Sequence, residues 1–446
     1  MNLLYYCTNV KILWRGLLAR ASIRGTRFLL FLLPVMLMLM IVSSSLLQAQ
    51  EPGPSWRPAG GNFQITDTPG DDFLPSVAFR PGFTSSGNLY LVVWARKTSS
   101  GFDIYGARVT TTGEVLDKDD GIIRISTATD DQMATNDQMF PAVLWGGDNF
   151  FVVWQDKRSG KRWEIYGARV TPGGEVLDPE GILIARGKSS NDQVTPALAF
   201  DGENYIVVWQ GQQKGVWNIY SARVSRAGEV LEEKPLRIDP GTHDQVFPAV
   251  AFDGKGYLIV WQDFRGGKLW DIYGAKITPR GEFPDLKVLR FRITYGDQFG
   301  SDQWRPVISW NGSYHFVVWI ASFYGNNWNL YGKRVGRGGE ILDPADLPIE
   351  KEGANKVFPA LLWDGEEYHI AWEEGPEKDP KIFMTSAIPD GPFQLGNRIL
   401  VSSPEAKDAS MPAISVGRDS ILAVWQARNQ EGYWNIYGQL LSRSMD

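Results

Sequence analysis

Short apolar runs, broken at regular intervals by Gly, Asp and Pro, dominate the chain after its first 50 residues. The most apolar are "YLVVW" from Tyr90, "YIVVW" from Tyr205 and "YLIVW" from Tyr257. In the last of these, Tyr257, Ile259 and Trp261 share one parity while Leu258 and Val260 share the other. An alternation that is apolar on both sides predicts a strand covered on both faces. Three further strand patterns surround each such run. One precedes it and follows a proline ("PALAF" from Pro196, "PAVAF" from Pro248, "PAISV" from Pro412), with a DG or GG turn between the two in several copies. The third strand is "DIYGARV" from Asp103 and its relatives, closed by turns such as Thr171 to Gly174, with Pro second and Gly fourth. The fourth is short and irregular: "GILIA" from Gly181, "PLRID" from Pro235, "RILVS" from Arg398. Its Pro, Lys and Asp residues suit an outer edge guarded against stray pairing.

This four-strand phrase repeats. Its proline falls at Pro75, Pro141, Pro196, Pro248, Pro306, Pro359 and Pro412, and its tryptophan at Trp94, Trp154, Trp209, Trp261, Trp319, Trp372 and Trp425. Six of the seven copies hold the two 13 residues apart; the first carries an insertion, "RPGFTSSGN". Seven four-stranded units, buried on both faces, predict an all-β, seven-bladed β-propeller. The last copy stops after its third strand, "NIYGQLL" from Asn435. An orphan fourth-strand pattern, "NFQITDTPGDDFLP" from Asn62, stands ahead of the first copy and matches "LRIDPGTHDQVFP" from Leu236. The N-terminal strand is therefore expected to complete the C-terminal blade and close the ring, where an open solenoid would need caps. The expected organisation is a leader over 1–49, a linker over 50–61 and the propeller over 62–446.

Composition follows from the repeat. Eighteen tryptophans are far above ordinary usage, and most recur with the period. One set ends the second strand. A second set (Trp163, Trp217, Trp270, Trp328 and Trp434, with Phe102 in the first copy) precedes the third. Burying a tryptophan removes about 150–250 Å² from water, roughly 4–6 kcal/mol before entropy is counted. Blade-to-blade packing is the expected role for both sets. An exposed aromatic ladder for stacking sugars is the alternative, more apt for the second set.

The leader carries Lys11, Arg15, Arg20, Arg24 and Arg27 with no acid, then an apolar run from Phe28 and small residues up to Ala49. This is the layout of a secretory signal cleaved near Ala49. An uncleaved anchor is the alternative, because Phe28 to Leu47 could span a bilayer. Both place the propeller outside the cytoplasm, secreted or periplasmic. The single cysteine, Cys7, lies in the leader, so the propeller has neither disulfides nor thiol chemistry. Without the leader, 40 basic residues face 51 acidic ones. Nucleic acid and anionic membrane are unfavoured partners for such a charge.

The stretch "WQDKRSGKRWEIYGARVTPGG" from Trp154 resembles the TolB-type propeller repeats of bacterial envelope proteins, and resembles more closely the "VVWQD…DIYGARV" repeats of secreted bacterial propellers. Asp156 with Arg158 and Asp263 with Arg265 carry the Asp-x-Arg turn in full, whereas the other copies depart from it. The resemblance covers essentially Asn62 to Leu441. It implies a propeller in an envelope or secreted setting and leaves the activity open, because propellers serve as scaffolds, lectins and enzymes.

Candidate chemistry is sparse. The three histidines are His243, His315 and His369, and the last two lie inside second strands, as packing residues would. There is no nucleophile elbow, zinc motif, phosphate loop, dinucleotide fingerprint or EF-hand loop. No catalytic residue, metal or cofactor is therefore expected, although carboxylate pairs for glycoside chemistry stay open. The most regular polar feature stands four residues before the repeat proline: Asp71, Asp137, Asp192, Asp244, Asp302 and Asp408, with Asn355 in the sixth copy. Gln138, Gln193, Gln245 and Gln303 follow in four copies. Either these side chains cap backbone donors and tie blades together, or they ring one channel mouth as a polar, anionic ligand site. Copies that break the repeat offer a more specific site, and blades five and six diverge most. Tyr295, Trp304, Phe323, Tyr324 and Lys356 are the contacts expected there. The leading expectation is a monomeric, non-catalytic module that binds a protein or glycan. A glycan- or peptide-cleaving hydrolase or lyase at the channel mouth is the first alternative, and a purely structural repeat protein the second.

Overall fold

In the computed structural model the described residues are 56–443, without 68, 83–86, 128–136, 188–190, 285–289, 297–299, 324–326, 377 and 390–392. The leader therefore lies outside the described residues. No helix among those described is long and apolar enough to cross a membrane.

The repeat folds as expected, into seven antiparallel sheets that are the blades of a β-propeller. Blade two shows the plan: Gln138–Trp145, Phe150–Asp156, Glu164–Val170 and Ile182–Ala185, hydrogen-bonded in that order. Blade six adds a short strand, Ile399–Leu400, beside Lys381–Ile388. Every second strand is apolar on both sides because blades stack against both of its faces. All seven repeat tryptophans at its end are essentially inaccessible to water.

Closure runs through the N-terminal strand. Trp56–Gln64 pairs antiparallel with Trp434–Arg443, from Trp56 opposite Arg443 to Gln64 opposite Tyr437. The strand begins six residues ahead of the Asn62 pattern, inside the segment expected to be linker. Trp56 packs edge-on against His369 at 5.0 Å, and the Asn62 amide donates to Val401 O at 3.0 Å. Blade six is thereby bound to the same strand that completes blade seven.

The first strand departs from expectation in one respect. It starts before the repeat proline, and the proline sits at a break in register, as between Val194 and Ala197 or Val246 and Ala249. A residue without N–H is tolerated at a bulge, where no ladder bond is lost. The residue before each proline adopts the left-handed conformation: Leu74, Phe140, Thr195, Phe247, Arg305, Phe358 and Met411 all have φ between 51 and 57°. Such backbone is strained for a side-chain-bearing residue, and in four of the seven copies a glutamine of the preceding blade secures it; Ala95, Ile320 and Glu373 stand at that position in the other three. Leu74 N–H donates to Gln426 Oε1 at 2.8 Å, Thr195 N–H to Gln155 at 3.0 Å, and Phe247 N–H to Gln210 at 2.8 Å. The glutamine that follows the repeat tryptophan is thus an inter-blade latch.

Candidate functional site

The regular polar residues are engaged inside the structure. Asp192, Asp244 and Asp302 accept the backbone N–H of Trp163, Trp217 and Trp270 at 2.8–2.9 Å, and Asn355 does the same for Trp328. Each bond runs from the inner strand of one blade to the third strand of the blade before it. Asp137 accepts Lys157 N–H through its own carbonyl at 2.8 Å. The glutamines are buried. Gln193 Oε1 accepts the Trp209 indole N–H at 2.7 Å, Gln303 accepts that of Trp319, and Gln245 donates to Asp263 at 3.3 Å. Gln138 is fully buried, and its amide has no hydrogen-bond partner among the described residues.

The indole bonds follow a rule. Where an acid stands two residues after the tryptophan, the indole donates to it: Trp154 to Asp156, Trp261 to Asp263 and Trp372 to Glu374, at 2.8–2.9 Å. Where Gly211 or Ala321 stands there, the glutamine of the first strand takes over. The same acids hold the arginines of the Asp-x-Arg turn. Arg158 and Arg265 pair with Asp156 and Asp263 and lie 3.8 Å over the rings of Tyr166 and Tyr273.

The contacts expected from blades five and six differ in exposure. Tyr295 is exposed beneath the Arg292 guanidinium, 4.8 Å from its ring centre. Trp304 is half-buried against Trp328, with ring centres 5.1 Å apart. Phe323 ends the second strand of blade five, but its side chain and the whole of Tyr324 lie outside the described residues. Lys356 is fully buried, and its ammonium donates to the Glu352 and Ala354 carbonyls, with Glu374 at 3.8 Å. Burial pulls its pKa below the usual lysine range.

A different set of residues forms a recess. The second aromatic set (Phe102, Trp163, Trp217, Trp270, Trp328, Trp434) is half-buried throughout. Blade six lacks this aromatic, because Pro380 stands immediately before its third strand. A cavity of about 400 Å³ opens there, lined by Phe358, Glu373, Lys378, Pro380, Asp408, Ser410, Met411 and Trp434. Asp408 is fixed by Arg428 at 3.0 Å, and Arg428 also lies 4.7 Å over the Trp434 ring.

Phe358 and Met411 also line the axial channel, a cavity of about 340 Å³ walled by the seven left-handed residues and their prolines. Six of those seven residues are uncharged; the seventh is Arg305. Its guanidinium carbon lies 4.5 Å from the Phe247 ring centre and 4.4 Å from that of Phe358. It forms no ion pair among the described residues. Burial lowers its pKa, opposed by Glu373.

Glu373 occupies the latch position that Gln155, Gln210, Gln262 and Gln426 fill in four of the other six copies. It accepts Met411 N–H at 3.4 Å, longer than the 2.8–3.3 Å of the glutamine latches. Burial drives its carboxyl up to about 7, while Met411 N–H and Arg305 oppose the rise. Both substitutions are visible in the sequence once copies are aligned on proline and tryptophan. What sequence alone lacks is that the positions before the proline and after the tryptophan of adjacent blades meet at the channel.

The histidines stay in the packing. His315 is fully buried beside Trp310, with ring centres 4.6 Å apart, and burial lowers its pKa to about 4. His369 Nε2 is 2.8 Å from Asp364, which also pairs with Arg443 at 3.1 Å. A histidine held by a carboxylate could be a catalytic base, but this one is fully buried beneath Trp56 and lines none of the cavities described above. No cluster of three metal-ligating side chains occurs among the described residues.

No known family profile and no curated protein matches the chain. Solved structures match it in fold. A Dyadobacter fermentans protein of unknown function superposes with a TM-score of 0.50 at 12% identity, over 88% of this chain and all of that one. The polysaccharide lyase Uly1 gives 0.50 at 11%, over 89% and 94%. The α-L-arabinofuranosidase of Fusarium graminearum gives 0.44 at 11%, over 86% and 98%. At such identities the likeness establishes the propeller and nothing finer.

Proposed function

We propose that the chain is a non-catalytic, glycan-binding propeller that works outside the cytoplasm, with its ligand seated where blades six and seven meet the channel. The observation that carries this is the recess left by the missing aromatic at Pro380. It presents the Trp434 ring beside two carboxyls, a hydroxyl and an ammonium group. A sugar offers the complement, an apolar C–H face and a rim of hydroxyls, and binding sites typically combine an apolar wall with a few convergent polar groups. Elsewhere Asp192, Asp244 and Asp302 bond to the backbone of the neighbouring blade, and Gln193, Gln245 and Gln303 bond inside their own. The uneven channel mouth argues against a purely structural repeat. An extracytoplasmic setting is supported by the basic and apolar leader and by the likeness of the Asp-x-Arg turn to TolB-type repeats.

The test is a glycan array on the propeller, followed by titration of any hit with the wild type, Lys378→Ala and Trp434→Ala. Binding that falls at least tenfold in these variants supports the site, and unaltered binding removes it.

Catalysis is the second reading, favoured by Glu373, which lines the recess and whose carboxyl burial pushes up to about 7, the range that suits a general acid. Asp408, the other carboxylate of the cavity, is ion-paired with Arg428. Release of new reducing ends or unsaturated sugars from a bound glycan, lost in Glu373→Gln, would establish an enzyme in place of a binding module.

A further inference from the structure

Arg305 is the one charged residue among the seven that precede the repeat prolines. Every other blade places Leu, Phe, Thr or Met there. Phe247 and Phe358, from the two flanking blades, both lie against its guanidinium, their ring centres 4.5 and 4.4 Å from its carbon. A guanidinium packed against two rings has its planar fork restricted and its N–H donors unmatched by the rings. It has no carboxylate partner among the described residues, and it lines the channel cavity. A planar, bidentate acceptor matches this fork, and in an apolar channel such a charge-assisted pair is poorly screened.

We propose that Arg305 is the anchor for a carboxylate group of the glycan, so that the ligand class is an acidic, uronate-bearing saccharide whose acidic sugar enters the channel from the Pro380 recess. This rests on the saccharide-binding reading above and adds the charge of the ligand. The two cavities adjoin at Phe358 and Met411, and in the proposed complex one oligosaccharide lies across both. Glu373 lines the recess, and its charge acts on Arg305; it is the regulating charge of the proposed complex. It faces the Met411 N–H and the field of Arg305, and shares its recess with Lys378 and Asp408, the latter neutralised by Arg428. When ionised it competes with the incoming carboxylate for Arg305; when protonated it does not. Ligand binding therefore takes up a proton near neutral pH.

The experiment is calorimetric titration of the wild type, Arg305→Leu and Arg305→Lys with trigalacturonate, a neutral galactose trisaccharide and acetate, at pH 6 and pH 8. Leu74 fills the equivalent position in blade one with the same backbone, so Arg305→Leu should fold; Arg305→Lys keeps the charge and loses the fork. The expected result is that the wild type prefers the acidic trisaccharide at least tenfold over the neutral one. It binds that ligand several-fold more tightly at pH 6 than at pH 8, and acetate only weakly. Arg305→Leu should lose the preference while retaining neutral binding, with Arg305→Lys between the two. Equal binding of acidic and neutral trisaccharides by the wild type, or an acidic preference that survives in Arg305→Leu, overturns the role of Arg305 and leaves the saccharide site standing. Failure of both trisaccharides to bind removes both claims.

Discussion

Glu373→Gln is expected to stabilise the propeller, and to do so only where the native carboxyl is ionised. The folded chain holds this carboxyl at about 7 against an ordinary value of 4.5. A group whose pKa is raised on folding contributes most below its unfolded value and loses that contribution as pH rises through the folded one. The gap corresponds to a ceiling of about 3 kcal/mol above pH 7. Partial solvent access screens it, and about 1–2 kcal/mol is the realistic size. Glutamine removes the penalty and restores the neutral latch seen at Gln155, Gln210, Gln262 and Gln426. Denaturant unfolding of both proteins, followed by tryptophan fluorescence, should give nearly coincident midpoints at pH 5. At pH 8 the variant should unfold at clearly higher denaturant. An equal difference at both pH values, or a less stable variant at pH 8, would refute the reasoning. A residue retained at a cost in stability is most simply explained by function, so the same variant should bind the ligand with less dependence on pH.

Three further outcomes follow from the packing. Removing Trp56–Gln64 takes away a paired outer strand and the burial of Trp56, so stability should fall by about 5 kcal/mol or more; unchanged thermal unfolding would mean the ring is not closed by this strand. Trp425 has alanine at both places where other copies supply an indole acceptor, Ala409 and Ala427, and its indole N–H is buried without a partner among the described residues. Ala409→Gln reproduces the Gln303 and Ala321 pairing of blade five and should add about 1 kcal/mol, whereas Ala409→Leu, measured alongside it, should not. Asp244→Ala removes the acceptor for Trp217 N–H and should lower stability by about 1 kcal/mol, with no selective loss of ligand affinity if the aspartates act only between blades.

The repeat made the architecture legible. Two-sided apolar strands, a fixed proline-to-tryptophan spacing and an orphan strand pattern at the N-terminus admit few folds, and closure is the feature that selects a ring. The strand limits were less legible. Residues 56–61 look like linker because Arg57, Pro58 and Gly60 carry no apolar alternation, yet an outer edge strand needs only backbone pairing along one side. The recurring aspartates are regular because the same bond to the neighbouring blade's backbone recurs, and the recurring glutamines because they serve the tryptophan or acid of their own blade. The recess and the channel beside it lie instead where copies fail: an arginine in place of an uncharged residue, a glutamate where four copies have glutamine, a proline in place of an aromatic. Lys356 shows why failure alone is an insufficient guide, since its departure from the repeat is absorbed by two carbonyls and Glu374 inside the blade.

Hydrogen–deuterium exchange of the propeller, with and without the tightest ligand from the glycan array, tests the site most directly. The account requires slowed exchange in the segments around Arg305, Glu373 to Lys381 and Asp408 to Met411, with blades two and three unchanged. Protection confined to blades two and three, or the absence of any glycan that binds, would contradict it.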